Sequence, residues 1–204
     1  MLQRKSVSHE LLELLDRLMT VEEFNDFRLV GGTSLALQWG HRESVDIDMF
    51  GNSNLTGDEI LGHLNTLGTV KALKKSGFIN IFVVNDIKVD FVNYRYPWLD
   101  TCLVEDNIRM ATPKDIAAMK INAITGRGSK KDFVDLYYLL KIYSLEEILA
   151  FFQQKYHDAT LFLAVKSLTY FDDADAQDMP VTFEKITWEH IKKTIATHYN
   201  KLQL

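Results

Sequence analysis

The sequence predicts an α+β fold, with an α/β core over residues 1–107 followed by a helical region over residues 108–204. Three observations lead there. Helical and alternating apolar periods interleave through the first hundred residues, β signals dominate residues 69–94, and beyond Asn107 only helical spacing and helix-start signals remain. A chain of 204 residues with 47% hydrophobic content can bury one substantial core, or a core and a smaller helical partner.

The elements follow in order. Residues 8–19 carry Leu11, Leu12, Leu15 and Leu18 at helical spacing. Thr20 and Glu23 read as a capping box opening a further short turn. Residues 27–30 predict a strand, residues 33–39 a short helix after Gly31 and Gly32, and residues 45–50 a strand of period two. Thr56 and Glu59 form a second capping box, opening a helix to about Leu67. Strands are predicted over 69–74, 78–84 and 87–94, the last two joined by a tight turn at Asn85 and Asp86. Thr112, Pro113 and Asp115 then supply a cap, a first-position proline and a first-turn acid for a helix to about Thr125. Gly126 and Gly128 break it, residues 130–142 resume it, and Ser144 with Glu147 caps the next helix towards Tyr156. Residues 158–168 and 187–202 are predicted helical, with an acidic loop at 172–178 between them.

Composition bounds the setting. The opening residues lack the uninterrupted apolar run of a signal peptide, no stretch approaches the length that spans a bilayer, and the single cysteine, Cys102, forms no internal disulfide; a cytoplasmic protein with no membrane partner is expected. A net charge of −5 argues against a generally basic coat for nucleic acid. One segment departs from that average: between 109 and 131 stand Arg109, Lys114, Lys120, Arg127, Lys130 and Lys131 against the lone acid Asp115.

The chemistry concentrates in three features: Gly31-Gly32 after a strand, Asp46 and Asp48 on a second strand, and Asp90 on a third. Strand residues two apart face the same side, so Asp46 and Asp48 are expected on one face with Val45, Ile47 and Met49 on the other. Carboxylates gathered on an otherwise apolar sheet repel one another unless a cation lies between them, and an all-oxygen donor set suits Mg²⁺ or Mn²⁺. Two such ions can activate an attacking hydroxyl and stabilise a leaving pyrophosphate. Gly31 and Gly32, lacking Cβ, let backbone N–H groups approach a phosphate at a helix start, with Thr33 and Ser34 as added hydroxyl donors.

At these residues the chain resembles a known family. The stretch from Leu29 to Phe50, including Arg42 and Ser44 before the acids, is similar to the signature of the AbiEii/AbiGii-type toxin nucleotidyltransferases of the polymerase-β-like superfamily. Lys120 to Arg127, then Lys131, Asp132, Asp135 and Leu136, resembles that family's later motif, although an arginine is expected where Lys131 stands. The resemblance implies a polymerase-β-like core, a mixed sheet flanked by helices, with a C-terminal helical region completing the cleft. It implies transfer of a nucleoside monophosphate from an NTP to an acceptor hydroxyl. It assigns Asp46, Asp48 and Asp90 to the metal, Lys120 to the triphosphate, and Arg42, Asp132 and Asp135 to the nucleotide site. An antitoxin encoded nearby is the implied partner. Arg127, Lys130 and Lys131, beside the second motif, are expected to hold an RNA acceptor, a tRNA-like end. Two other readings fit the residues: a nucleotide-binding regulatory module without turnover, and a transferase acting on a small molecule.

Overall fold

Local signals set the helix starts. In the computed structural model, which describes residues 1–202, both Thr56 and Ser144 close reciprocal capping boxes, with Glu59 and Glu147 reaching back to the cap N–H. The helices they open are α3 (Gly57–Asn65) and α6 (Leu145–Lys155). Ser8 caps α1 (His9–Thr20), and Thr112, followed by Pro113, caps α4 (Pro113–Gly126). Thr20 does not cap: α1 extends through it, and Val21 precedes a 3-10 turn at Glu22–Phe24.

The chain divides into two compact units, residues 1–95 with 102–111 and residues 96–101 with 112–204. The first holds a seven-stranded sheet of β1 (Arg28–Leu29), β2 (Ile47–Gly51), β3 (Val70–Lys74), β4 (Ile79–Val84), β5 (Ile87–Asn93), β6 (Leu103–Glu105) and β7 (Ile108–Met110), in the order β3-β4-β5-β2-β1-β7-β6. Only β2 with β5 and β1 with β7 run parallel, so the sheet is mixed. Asn85 and Asp86 both take positive φ, as a two-residue hairpin turn requires, and join β4 to β5. Asp106 and Asn107 do the same between β6 and β7, a hairpin that the sequence reading did not predict. The helix α2 (Gly31–Trp39) connects β1 to β2.

One face of this sheet carries the core. Ile47, Met49, Phe82, Val84, Val89 and Phe91 are all but inaccessible and pack with Leu11, Leu15 and Leu18 of α1 and Ile60 and Leu64 of α3. Along β2 and β5 the residues between them are only partly buried. Val45, expected on the core face, precedes β2 and is 72% exposed.

In the second unit α5 (Lys130–Leu139), α6 and α7 (Leu161–Ser167) pack against α4, while α8 (Asp172–Asp175) and α9 (Trp188–Tyr199) pack against α5. Its core includes Ile121, Phe133, Leu136, Ile148, Phe152 and Ile195. A buried ion pair crosses it, with Lys155 Nζ 2.6 Å from Asp115 Oδ1. Lys155 also donates to the Pro97 carbonyl, and Asp115 accepts from the N–H groups of Leu99 and Asp100, which ties residues 97–100 to α4 and α6. Among the described residues no helix is long and apolar enough to cross a membrane.

Candidate active site

Gly31 opens α2 directly against Asp48 of β2. Val30 continues the extended chain beyond β1, its N–H donating to the Asp48 carbonyl at 2.9 Å. Gly31 then turns at φ +68°, a region that costs a side-chain-bearing residue energy. A Cβ at this position would lie 2.6 Å from Asp48 Oδ2. Glycine is therefore required twice, for its backbone angle and for the carboxylate against it. Val30 offers no side-chain acceptor as N-cap, which leaves the opening N–H groups of α2 without a cap of that kind.

Asp48 and Asp90 are register partners on β2 and β5. Paired strand residues share a face, and here it is the face opposite the buried Ile47, Met49, Val89 and Phe91. Lys88, two residues before Asp90 on that face, brings its Nζ to 2.6 Å from Asp90 Oδ2. Asp90 Oδ1 is buried and has no hydrogen-bond partner among the described residues. An unsatisfied carboxylate oxygen beside a second carboxylate is destabilising, and an oxygen-seeking cation relieves both faults, so these residues fit a magnesium ion. Asp46 lies just before β2, half-buried. Among the described residues no three His, Cys, Asp or Glu side chains are grouped closely enough to hold a metal, and Asp46 is the expected ligand that lies outside the register pair.

The other expected donors of the first unit face inward. Thr33 Oγ1 donates to the Asp46 carbonyl and lies 2.8 Å from Ser44 Oγ, while Ser34 Oγ donates to the Ala111 carbonyl and accepts from Gln38 at 3.0 Å. Both are buried, and they hold the chain before Asp48 and the end of the β7 segment against α2 rather than offering hydroxyls to a ligand. Arg42 is 4% exposed and donates to the Glu43 carbonyl at 2.8 Å. Arg109, part of the basic run, donates to the carbonyls of Met19, Phe24 and Phe27 and serves the fold.

The second unit gathers the later motif into one network. Lys120 Nζ on α4 lies 2.8 Å from Asp132 Oδ1 and 2.6 Å from Asp135 Oδ2 on α5, with the lysine side chain 5% exposed and both aspartates fully buried. Arg127 Nε and Nη2 donate to Asp132 at 2.9 and 3.2 Å, and Ser129 Oγ donates to it at 2.5 Å. Burial pushes the Asp132 carboxyl up, but the Lys120 ammonium and then the Arg127 guanidinium outweigh it and hold the group far below the usual carboxylate range. Lys130, expected to face RNA, is instead buried. Its Nζ donates to the carbonyls of Asp175 and Gln177 and lies 5.1 Å from the Trp188 ring centre. Lys131 is exposed, and the Arg127 side chain is 61% exposed.

Sequence reasoning passed over Lys88. The alternation Lys88-x-Asp90 within a strand carried the signal, because it puts ammonium and carboxylate on one face.

The sequence model of one family, the nucleotidyl transferase AbiEii toxin of a type IV toxin–antitoxin system, matches residues 13–200. An uncharacterised protein of Aquifex aeolicus, aq_aa25, is 36% identical over 197 residues, covering 93% of this chain and 94% of its own. Among solved structures, a candidate nucleotidyltransferase from H. pylori superposes with a TM-score of 0.60 at 16% identity, covering 94% of this chain and 91% of that one. The antibiotic-resistance factor ANT(2'')-Ia superposes with a TM-score of 0.55 at 12% identity, covering 70% and 89%. At these identities the likeness is one of fold: a mixed sheet with flanking helices and further helices after it.

Proposed function

The chain belongs to the AbiEii nucleotidyltransferase toxin family, and on that premise we propose that it moves a nucleoside monophosphate from an NTP to a hydroxyl of RNA, with Asp48 and Asp90 at the reacting centre. The observation that carries this reading is their register pairing beside Gly31, with Asp90 Oδ1 buried and without a hydrogen-bond partner among the described residues.

In the reaction an acceptor hydroxyl oxygen bonds to the α-phosphorus, the bond from that phosphorus to the bridging oxygen breaks, pyrophosphate leaves, and the hydroxyl proton passes to water. Asp48 and Asp90 would hold magnesium, with Asp46 drawn in as third ligand when the ion binds; the ion would supply charge neutralisation on the phosphates and acidify the attacking hydroxyl. The opening turn of α2 would take a phosphate on its N–H groups. Gly31 lets that backbone lie directly under Asp48. Lys88 keeps the Asp90 carboxylate oriented.

Lys120 would serve the nucleotide through its place in the network with Asp132 and Asp135, which orients its ammonium. Among the basic residues expected to meet RNA, the reading rests on the exposed Lys131 and Arg127; Lys130 serves the core of its unit. Action as a growth-arresting toxin, neutralised by an antitoxin encoded nearby, is the cellular role this activity implies.

The test is direct. Protein incubated with each labelled NTP, Mg²⁺ and total RNA should transfer label to RNA, and Asp48→Ala should abolish it. Labelling that survives the substitution would sink the assignment. Label on a protein or a small hydroxylated compound, with RNA unmarked, would remove the RNA acceptor while leaving the transferase.

A further inference from the structure

The face of the sheet that carries Asp48 and Asp90 continues across β4 to the edge strand β3, and the pairing register defines what lies on it. Asp48 pairs with Asp90, Asp90 with Ile81, and Ile81 with Lys74. One row along, Lys88 pairs with Val83 and Val83 with Lys71. Lys71 and Lys74 are three residues apart and in a regular strand would point to opposite faces. The register shift between Ala72 and Lys74 places the extra residue Leu73 in the strand, and so turns both lysines onto the acidic face.

Both lysines are exposed and make no ion pair among the described residues. On the register rows between them and the acids stand the half-buried Ile81 and Val83. Strands are spaced about 4.8 Å apart, so Lys74 stands about 10 Å from Asp90, within reach of a chain whose end lies over the acids. Lys88 continues the basic line inward to Asp90 itself.

From this arrangement we infer that Lys71, Lys74 and Lys88 form a track for the phosphate backbone of a single RNA strand, delivering its end to Asp48 and Asp90. The charge pattern selects the ligand. The protein as a whole is acidic, and a face carrying lysines at the edge and carboxylates further in suits a polyanion that passes over the lysines, with its reacting end at the acids. The inference rests on the RNA-transfer reading, and it names the acceptor surface within the first unit.

Direct binding of a fluorescent single-stranded oligoribonucleotide tests it without turnover. Each phosphate contact contributes roughly −0.7 to the slope of log affinity against log salt. Lys71→Glu/Lys74→Glu should weaken binding about tenfold or more and make that slope shallower by about 1.4. Lys185→Glu/Lys193→Glu, an equal charge change on exposed lysines of the second unit, should alter it far less. Thermal unfolding of both variants checks that they fold; if Lys71→Glu/Lys74→Glu is destabilised, Lys71→Gln/Lys74→Gln carries the test, with a smaller loss of affinity and a shallower slope again expected. Binding and slope unchanged in these variants would overturn the inference and leave the lysines as guards of an open sheet edge. Equal weakening by the control variant would overturn it as well, because net charge alone would then explain the effect. RNA that binds the wild-type protein through these lysines yet never receives label would refute RNA transfer and leave the surface standing. RNA that receives label without dependence on them would refute the surface alone.

Discussion

Lys88 Nζ lies 2.6 Å from Asp90 Oδ2, while the other oxygen of the same carboxylate is buried with no hydrogen-bond partner among the described residues. One oxygen of Asp90 is thus oriented by its own strand and the other is left for a ligand. The lysine fixes the carboxylate rotamer before any ion arrives, which lowers the ordering cost of binding one.

That asymmetry predicts how the protein responds to magnesium. Mg²⁺ should raise the melting temperature of the wild type, since a ligand that binds the folded state stabilises it by mass action. Asp90→Asn should abolish the rise and lower nucleotidyl transfer by roughly a hundredfold or more. Calorimetry with and without Mg²⁺ checks the first part, and pyrophosphate release checks the second. A full magnesium response in Asp90→Asn would remove Asp90 from the metal site.

Gly31 and Gly62 should respond in opposite ways to the same change. Gly31→Ala places a methyl group at φ +68° and 2.6 Å from Asp48 Oδ2, so it should cost about 1–3 kcal/mol and displace the carboxylate. Gly62 lies inside α3 with nothing within 4 Å of an added Cβ, and Gly62→Ala should stabilise by about 0.5–1 kcal/mol. Urea unfolding midpoints compare them, and a neutral Gly31→Ala would show that the turn relaxes freely.

The Lys155–Asp115 pair makes a third case. Lys155→Met leaves Asp115 fully buried without its ammonium, and loss of about 3–5 kcal/mol is expected, as for buried pairs broken on one side. Lys155→Met/Asp115→Leu should recover part of that, though not all, because Asp115 also accepts from Leu99 and Asp100. Denaturant unfolding of both variants measures the difference. A double variant weaker than the single one would mean that those backbone bonds outweigh the ion pair.

What was legible in the sequence divides by range. Thr56 with Glu59 and Ser144 with Glu147 act across three residues, so their helix starts could be read directly. Asn85-Asp86 and the carboxylates of β2 and β5 were legible for the same reason: turn chemistry and polar residues in apolar strands are local signals. The β6–β7 hairpin escaped because its strands have three residues each, too short for a period. The β3 bulge escaped because register depends on the partner strand. Lys130 looked like surface charge, yet its ammonium finds carbonyls 45 and 47 residues away. No local pattern reports such a partner.

The Asp132 carboxyl sets a pH dependence. Its folded pKa is depressed, so the stability it contributes is present above the ordinary aspartate value of about 3.9 and is lost as pH falls towards the folded value. Asp132→Asn should lower stability at pH 7 and flatten the decline below about pH 4. Unfolding free energies measured between neutral and acid pH test this, and an unchanged slope in Asp132→Asn would assign the acid loss to other carboxylates.

The last prediction separates two basic residues that sequence spacing treats alike. Arg127 and Lys131 both face solvent, but the Arg127 guanidinium holds the buried Asp132 through two hydrogen bonds. Arg127→Glu would set a new carboxylate beside one already buried, so it should destabilise the second unit by a few kcal/mol and disturb Lys120 through Asp132. Loss of activity in that variant would therefore say nothing about RNA. Lys131 is the cleaner probe: Lys131→Glu should leave the melting temperature within about 2–4 °C of wild type, as a surface change in a chain of this size should. If Lys131 touches a phosphate of the acceptor, the same variant should make the salt dependence of RNA binding shallower by about 0.7. An unchanged slope with intact folding would place the acceptor away from Lys131.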